Sequence, residues 1–260
     1  MNINLQSKTA LVCGSTQGIG KAIAQQFAEC GASVILCARD EIKLKETQST
    51  LPNPTNHSYI VGDFNKPTEL LKKISEYTSK QPIHIVVNNS GGPPGGKLID
   101  ASVEEFLLAT TRLLYTSHQM LQLCVPGMKQ AEYGRVINVI STSVRQPIDN
   151  LGVSNTVRGA TSSWAKTLAT ELAQFNITVN NVLPGATATA RLESIIVRTM
   201  QNTNKTYEQV LTDMQKEIPM KRFAKPDEIA YAATFLASEY AAYITGTNIT
   251  VDGGRTKSLL

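Results

Sequence analysis

Along the chain, short runs of apolar and β-branched residues alternate with longer stretches in which apolar positions return every three or four residues. The runs fall at Thr9 to Cys13, Val34 to Ala38, Tyr59 to Val61, Ile83 to Asn88, Arg135 to Ile140, Ile177 to Leu183 and Asn248 to Val251, and each reads as a strand. "TALVC", "SVILCA" and "IHIVV" are almost continuously apolar, the pattern of strands covered on both faces rather than wetted on one. Most intervals are long enough for a helix, which makes the connections right-handed crossovers between parallel strands. The fold class predicted is therefore α/β, a parallel seven-stranded sheet with helices on both faces. No repeat or low-complexity tract interrupts the pattern, the Gly/Pro cluster Ser90 to Gly96 reads as an irregular loop, and residues 1–260 read as one domain.

One junction carries chemistry. Gly14-Ser15-Thr16-Gln17-Gly18-Ile19-Gly20 leaves the first strand and opens a stretch whose Ala22, Ile23, Ala24, Phe27 and Ala28 recur at helical spacing. Glycines at such a junction let the backbone turn tightly, let a pyrophosphate approach and let the helix pack on the sheet, while the helix start supplies free N–H groups. Taken alone, the same residues also fit a tight turn with no ligand.

Composition narrows the partners. With 42% apolar and 18% charged residues the chain can bury a substantial core, and a net charge of +4 spread along the sequence forms no basic stripe for nucleic acid. No stretch reaches the roughly 18 apolar residues of a membrane span, and the start lacks a basic flank followed by an apolar run. Cys13, Cys30, Cys37 and Cys124 have no metal-ligand spacing and read as reduced thiols. The expectation is a cytoplasmic protein with no metal, no membrane and no nucleic-acid partner.

In order along the chain, the Gly-x-x-x-Gly-x-Gly turn, Asp63 in "VGDFN", Asn88-Asn89-Ser90-Gly91, "GRVINVIS" ending at Ser141, "ITVNNVLPG" ending at Gly185 and the segment from Lys221 to Gly254 resemble the short-chain dehydrogenase/reductase family. The resemblance implies a doubly wound, Rossmann-type sheet and a nicotinamide dinucleotide. It assigns cofactor contacts to Gly14, Ser15, Gln17, Gly18, Ile19 and Gly20, to Asp63 and Phe64, to Asn89, Ser90 and Gly91, to Arg158, and to Pro184, Gly185 and Thr189. Structural roles compete: Asn88 bridging strands, Asp63 capping a turn, and Asp252 to Gly254 forming a turn of their own. At the end of the second strand, where an acidic residue would bind the ribose of NAD, stand Ala38 and Arg39. A guanidinium there suits a 2′-phosphate, so NADP(H) is expected over NAD.

The family's proton chemistry rests on an Asn, a Ser, and a Tyr four positions before a Lys. Here only Ser141 of the four is kept: Leu113 stands at the Asn position, Ser154 at the Tyr and Arg158 at the Lys. An aliphatic hydroxyl is a far weaker acid than a phenol, and Arg does not release its proton. Positioned acid–base catalysis is worth ~10²–10⁴-fold, so its loss slows the usual reaction without abolishing it. Ser154 reads as the N-cap of a helix with Val157, Ala160, Trp164, Leu168 and Leu172 on its apolar face.

With "NNSGGPPGG", Ser154-Asn155-x-x-Arg158 and "VLPG", the chain is similar to a divergent β-ketoacyl (3-oxoacyl) carrier-protein reductase-like branch that lacks the Tyr and Lys. The function implied is NAD(P)-dependent oxidation or reduction of a small-molecule carbonyl or alcohol, with Ser141, Ser154 and Arg158 as candidate catalytic residues and Ser154 through water, Tyr115 or His118 as alternative proton donors. The competing reading is a catalytically impaired dinucleotide-binding sensor or structural partner; elimination or isomerisation is a third. Thr187 to Arg222 would cover the substrate, with Ile195, Ile196, Met200 and Met214 as an apolar lid or as core. By the same resemblance the chain is a homo-oligomer, a tetramer or dimer built through helices at Val103 to Met128 and Ser154 to Gln174 and the last strand.

Overall fold

Residue parity sorts the strand side chains into two layers. In β1 (Thr9–Cys13), Ala10 and Val12 pack into one apolar layer while Leu11 and Cys13 pack into the other, as the two-residue repeat of a strand requires. The computed structural model describes residues 2–259. In it β1 joins β2 (Ser33–Ala38), β3 (Ser58–Val61), β4 (Ile85–Asn88), β5 (Gly134–Val139), β6 (Ile177–Pro184) and β7 (Asn248–Val251) in one parallel sheet of order β3-β2-β1-β4-β5-β6-β7. The predicted strands are all present, shifted by no more than two residues at their ends.

Each face of the sheet takes its own set of helices. The first layer receives Ile23 and Phe27 of α1 (Gly18–Glu29), Leu44 of α2 (Glu41–Thr50), and Ile229 and Ala233 of α9 (Pro226–Ala237). The second receives Leu70 and Ile74 of α3 (Pro67–Thr78), Met120 and Met128 of α5 (Thr116–Gln130), and Ala165 and Ala169 of α6 (Gly152–Leu172). Fully buried side chains such as Phe27 and Met128 each contribute about 1.5–3 kcal/mol of transfer free energy. Two further helices, α7 (Ala190–Thr203) and α8 (Tyr207–Lys216), carry a small core of Leu192, Ile196 and Val210, with Met200 and Met214 packed against it. Of the expected lid residues, Ile196, Met200 and Met214 thus belong to this local core, and Ile195 is exposed.

Three details differ from the sequence expectation. The helix expected from Val103 to Met128 is broken: α4 (Val103–Thr110) passes into a π turn at Thr111–Tyr115 before α5 begins. Ser154 is not an N-cap, because α6 starts at Gly152 behind Leu151, which makes no side-chain cap. The buried stripe of α6 is Val153, Val157, Thr161, Ala165, Ala169 and Leu172; Ala160 is exposed, and Trp164 and Leu168 are only half-buried. Apolar residues occur on both sides of this helix, so periodicity alone picked the flank.

An asparagine ladder ties the middle of the sheet to its edge. Asn88, Asn138, Asn181 and Asn248 sit opposite one another in register. Asn88 Nδ2 donates to Asn138 Oδ1 (2.8 Å), Asn138 to Asn181 (2.8 Å) and Asn181 to Asn248 (2.7 Å). Asn88 is therefore structural, as its bridging reading held. Asn88 ends β4 and Asn138 is the next-to-last residue of β5, while Asn181 lies within β6 and Asn248 opens β7.

Candidate cofactor and active site

The strand order reverses between β1 and β4, and a parallel sheet opens a crevice beyond its strand ends at such a point. Gly14 and Asn89 close the floor of that crevice. A Cβ on Gly14 would lie 2.6 Å from the Asn89 carbonyl oxygen, and one on Gly20 would collide with the carbonyl of Gly14. Asn89 Nδ2 donates to the carbonyl of Cys13 at 3.1 Å, fixing the turn from the β4 side. Gly14 and Gly18 have φ of 62° and 52°, in the left-handed region that glycine tolerates. Gln17, at the N-cap of α1, makes no side-chain cap, and the first turn holds no acidic residue, so the helix start keeps its free N–H groups. A side chain at Gly14 or Gly20 would strike the turn itself, and the free N–H groups at the start of α1 have the chemistry that suits a phosphate.

Around the cradle the expected contacts separate into those that keep accessible surface and those spent on the fold. Gln17, Gly18, Ile19, Asn89, Ser90, Gly91, Pro184, Gly185 and Thr189 all keep accessible surface. Gly18 lies against Thr189, whose Cγ2 would be 3.0 Å from a Cβ there, so the start of α7 closes over the start of α1. Ser15 does not face the crevice: it is fully buried, and its Oγ accepts from the amide of Cys37 at 2.9 Å, stitching the turn to β2. Asp63 caps its own turn by accepting from the amide of Asn65 at 2.9 Å, and Phe64 is buried with its carbonyl bonded to Thr116. Arg112 then links Asn65 Oδ1 (2.8 Å) to the Gly91 carbonyl (3.3 Å), holding the loops after β3 and β4 together.

At the far end of β2, Arg39 is exposed and makes no ion pair among the described residues. Asp40, its neighbour, is turned away: it accepts from the amide of Lys43 at 3.1 Å as the N-cap of α2. Among the described residues no carboxylate is paired with Arg39, which leaves its guanidinium open to a 2′-phosphate.

Ser141, Ser154 and Arg158 come together beyond β5. Arg158 Nε donates to Ser154 Oγ (3.2 Å), and Nη1 donates to the Ile140 carbonyl (2.6 Å), the residue before Ser141. Ser141 Oγ accepts from the amide of Ser143 at 3.0 Å. Each serine oxygen therefore receives a bond while its own O–H remains to be donated. Burial, and secondarily the charge of Arg191, lower the Arg158 pKa to about 10, which leaves it a cation at neutral pH. Leu113, in the π turn, packs with Ala109, Val153 and Val157, so apolar contact replaces any polar relay at that position. His118 accepts from Trp164 Nε1 at 3.2 Å and Tyr115 is exposed; neither bonds to Ser141, Ser154 or Arg158.

Sequence reasoning missed the second cation. Arg191, in the first turn of α7, donates through Nη2 to the Pro93 carbonyl at 3.2 Å, and Arg198, two turns on, donates to the Gly95 carbonyl at 3.2 Å. The Gly/Pro loop is thereby held against α7. The signal available was the Arg-x₆-Arg spacing, which places both on one helix face.

The family pattern described as enoyl-(acyl carrier protein) reductase matches residues 14–256. The chain is 29% identical over 261 residues to the NADPH-dependent reductase BacG of Bacillus subtilis (strain 168), covering 98% of this chain and all of that protein. Among solved structures it is similar to the L-sorbose reductase of Gluconobacter frateurii complexed with NADPH and L-sorbose (TM-score 0.92, 30% identity, full coverage of both chains). It is also similar to a 3-oxoacyl (acyl-carrier-protein) reductase of Agrobacterium tumefaciens C58 with NADP bound (TM-score 0.85, 25% identity, covering 96% of this chain and 95% of that one).

Proposed function

The chain belongs to the short-chain dehydrogenase/reductase family, and on that premise we propose that it is an NADP(H)-dependent oxidoreductase that reduces a small carbonyl or β-ketoacyl-type compound without a tyrosine acid. The observation that carries this reading is the glycine cradle at the β1–β4 crevice beside two serines and a guanidinium grouped beyond β5. Bound NADPH supplies hydride. The start of α1 would hold its pyrophosphate, Arg39 its 2′-phosphate, Asn89 to Gly91 its ribose, and Pro184, Gly185 and Thr189 its nicotinamide end. NADP-bound and NADPH-dependent relatives support that preference.

Ser141 and Ser154 donate their O–H groups to the substrate oxygen. As the new C–H bond forms, the carbonyl π electrons move onto that oxygen, and the Arg158 cation beside Ser154 stabilises the charge that develops. The alkoxide then takes its proton from water. Residues 187–222 cover the substrate. A homo-oligomer is supported by exposed apolar side chains at Ile99, Val103, Leu107, Leu108 and Tyr115.

A second reading is favoured by one observation, the absence of a Tyr or Lys from the Ser141, Ser154 and Arg158 group: the chain binds the dinucleotide without turning it over. Titration with NADPH and NADH, followed by the decay of reduced-nicotinamide absorbance over ketones and β-ketoacyl thioesters, decides between them. Substrate-dependent oxidation that Ser141→Ala lowers by about tenfold or more supports the reductase. Tight binding with no oxidation on any compound supports the second reading.

A further inference from the structure

The guanidinium of Arg158 is buried without a counter-charge. Among the described residues no carboxylate forms an ion pair with Arg158 or Arg191, and Glu193, the acid nearest Arg191 in sequence, is held by the Tyr207 hydroxyl at 3.0 Å. The acceptors on Nε and Nη1 are Ser154 Oγ and the carbonyls of Ile140 and Val139. These are dipoles, and a buried cation served by dipoles alone is less stable than one facing an anion.

The second terminal nitrogen is left over. Nη2 makes no hydrogen bond among the described residues, and it faces Gly92, where a Cβ would stand 3.1 Å from it. Arg191 reaches the adjoining residue, Pro93, from α7. Two guanidiniums therefore converge on Gly92–Pro93, near enough for the charge of Arg191 to add to burial in lowering the Arg158 pKa. An anion placed between them would satisfy Nη2 and remove their mutual repulsion together.

The phosphates of a dinucleotide lie elsewhere. Arg158 is anchored over the end of β5, two strands from the Gly14 turn on β1 and three from Arg39 on β2. At ~4.8 Å per strand these are offsets of ~10 and ~14 Å, beyond the reach of a hydrogen bond. The missing anion belongs to the other ligand of the site. We infer that Arg158 and Arg191 hold an anionic group of the substrate, a carboxylate or phosphate, so that the compound this cleft takes is a carbonyl acid. A 2-oxo acid would set its carboxylate one bond from the carbonyl carbon and let one guanidinium serve both groups. This inference rests on reading the cleft as the reductase site.

The test is calorimetric titration of the NADP⁺-saturated protein, and of the protein alone, with inorganic phosphate, oxalate and pyruvate, using oxamide and pyruvamide as neutral counterparts. The expected result is that the anions bind about tenfold or more tighter than the amides, and that Arg191→Gln, at an exposed position, lowers anion affinity about tenfold, the value of a charge-assisted hydrogen bond. Arg158→Lys, which keeps the charge and loses the fork, should weaken oxalate more than phosphate, while Arg191→Gln leaves NADPH affinity within about twofold. Equal binding of anions and amides, or no binding of either, overturns the inference. So does a loss of NADPH affinity in both variants with anion affinity intact, which would assign the guanidiniums to the cofactor. Should NADPH itself fail to bind, the oxidoreductase reading falls, and the anion preference of the protein alone still decides whether the two guanidiniums form an anion site.

Discussion

Arg158 Nε donates to Ser154 Oγ across 3.2 Å, one turn apart on α6, and both residues are buried. The pair occupies the helix face that looks toward Ile140 and Ser141, so the two substitutions relative to the family pattern have become one interacting unit. Ser154→Ala leaves Nε without its acceptor. The expected destabilisation is about 1–3 kcal/mol, read as a lower urea midpoint at unchanged slope, with NADPH affinity preserved and turnover reduced. Unchanged stability would mean that the bond contributes nothing.

The pH dependence of turnover follows from the same pair. Burial lowers the Arg158 pKa to about 10, so the group loses its proton only as pH rises through that value and is cationic from pH 6 to 9. Neither serine titrates in that range. The expected kcat/KM profile is level between pH 6 and 9, and a rising or falling limb there would identify a proton donor the site does not contain. The linkage has the opposite sign from a salt-bridged cation: the folded value lies below the unfolded one, so the unfolded chain holds the proton more tightly. The Arg158 contribution to stability therefore rises as pH climbs past about 10.

Coenzyme choice rests on Arg39. The side chain is exposed and unpaired while Asp40 caps α2, and a charge-assisted contact to a phosphate is worth about 1.5–3 kcal/mol, or ~10–100-fold in affinity. Arg39→Glu should weaken NADPH by at least that factor and leave NADH nearly unchanged, as followed by quenching of the Trp164 fluorescence. Equal losses for both coenzymes would remove Arg39 from the 2′-phosphate site.

Stability of the sheet depends on the asparagine ladder. Asn138 both accepts from Asn88 and donates to Asn181, and it is almost fully buried. Asn138→Ala orphans one donor and one acceptor, with an expected loss of about 2–5 kcal/mol in chemical denaturation. A loss under about 1 kcal/mol would show that water replaces the missing amide.

What the sequence made legible was whatever repeats locally. β7 falls at Asn248–Val251, as its β-branched pattern predicts, and the glycine turn sits where β1 meets α1 because strand, turn and helix are contiguous. Local rules misplaced the start of α6: Ser154 has the right chemistry for an N-cap, yet packing begins the helix at Gly152. The π turn at Thr111–Tyr115 leaves no compositional mark. The position of Ser15 in the glycine turn predicts a cofactor contact, whereas its hydroxyl is taken up by the amide of Cys37, 22 residues on. Arg191 was missed for the same reason, since its partner Pro93 lies 98 residues away. Local periodicity specifies elements; the meeting of residues from separate loops specifies the site.

In the proposed reaction NADPH bound in this cleft would supply hydride to a carbonyl without a tyrosine acid. The most direct measurement is isotope transfer: the protein is incubated with NADPH carrying deuterium at either face of nicotinamide C4, together with pyruvate and other carbonyl compounds, and the products are analysed by mass spectrometry. The expected product carries deuterium on its carbinol carbon from one of the two labelled forms, and none of it from the solvent. NADPH bound tightly with its label retained in full across every carbonyl compound would contradict it.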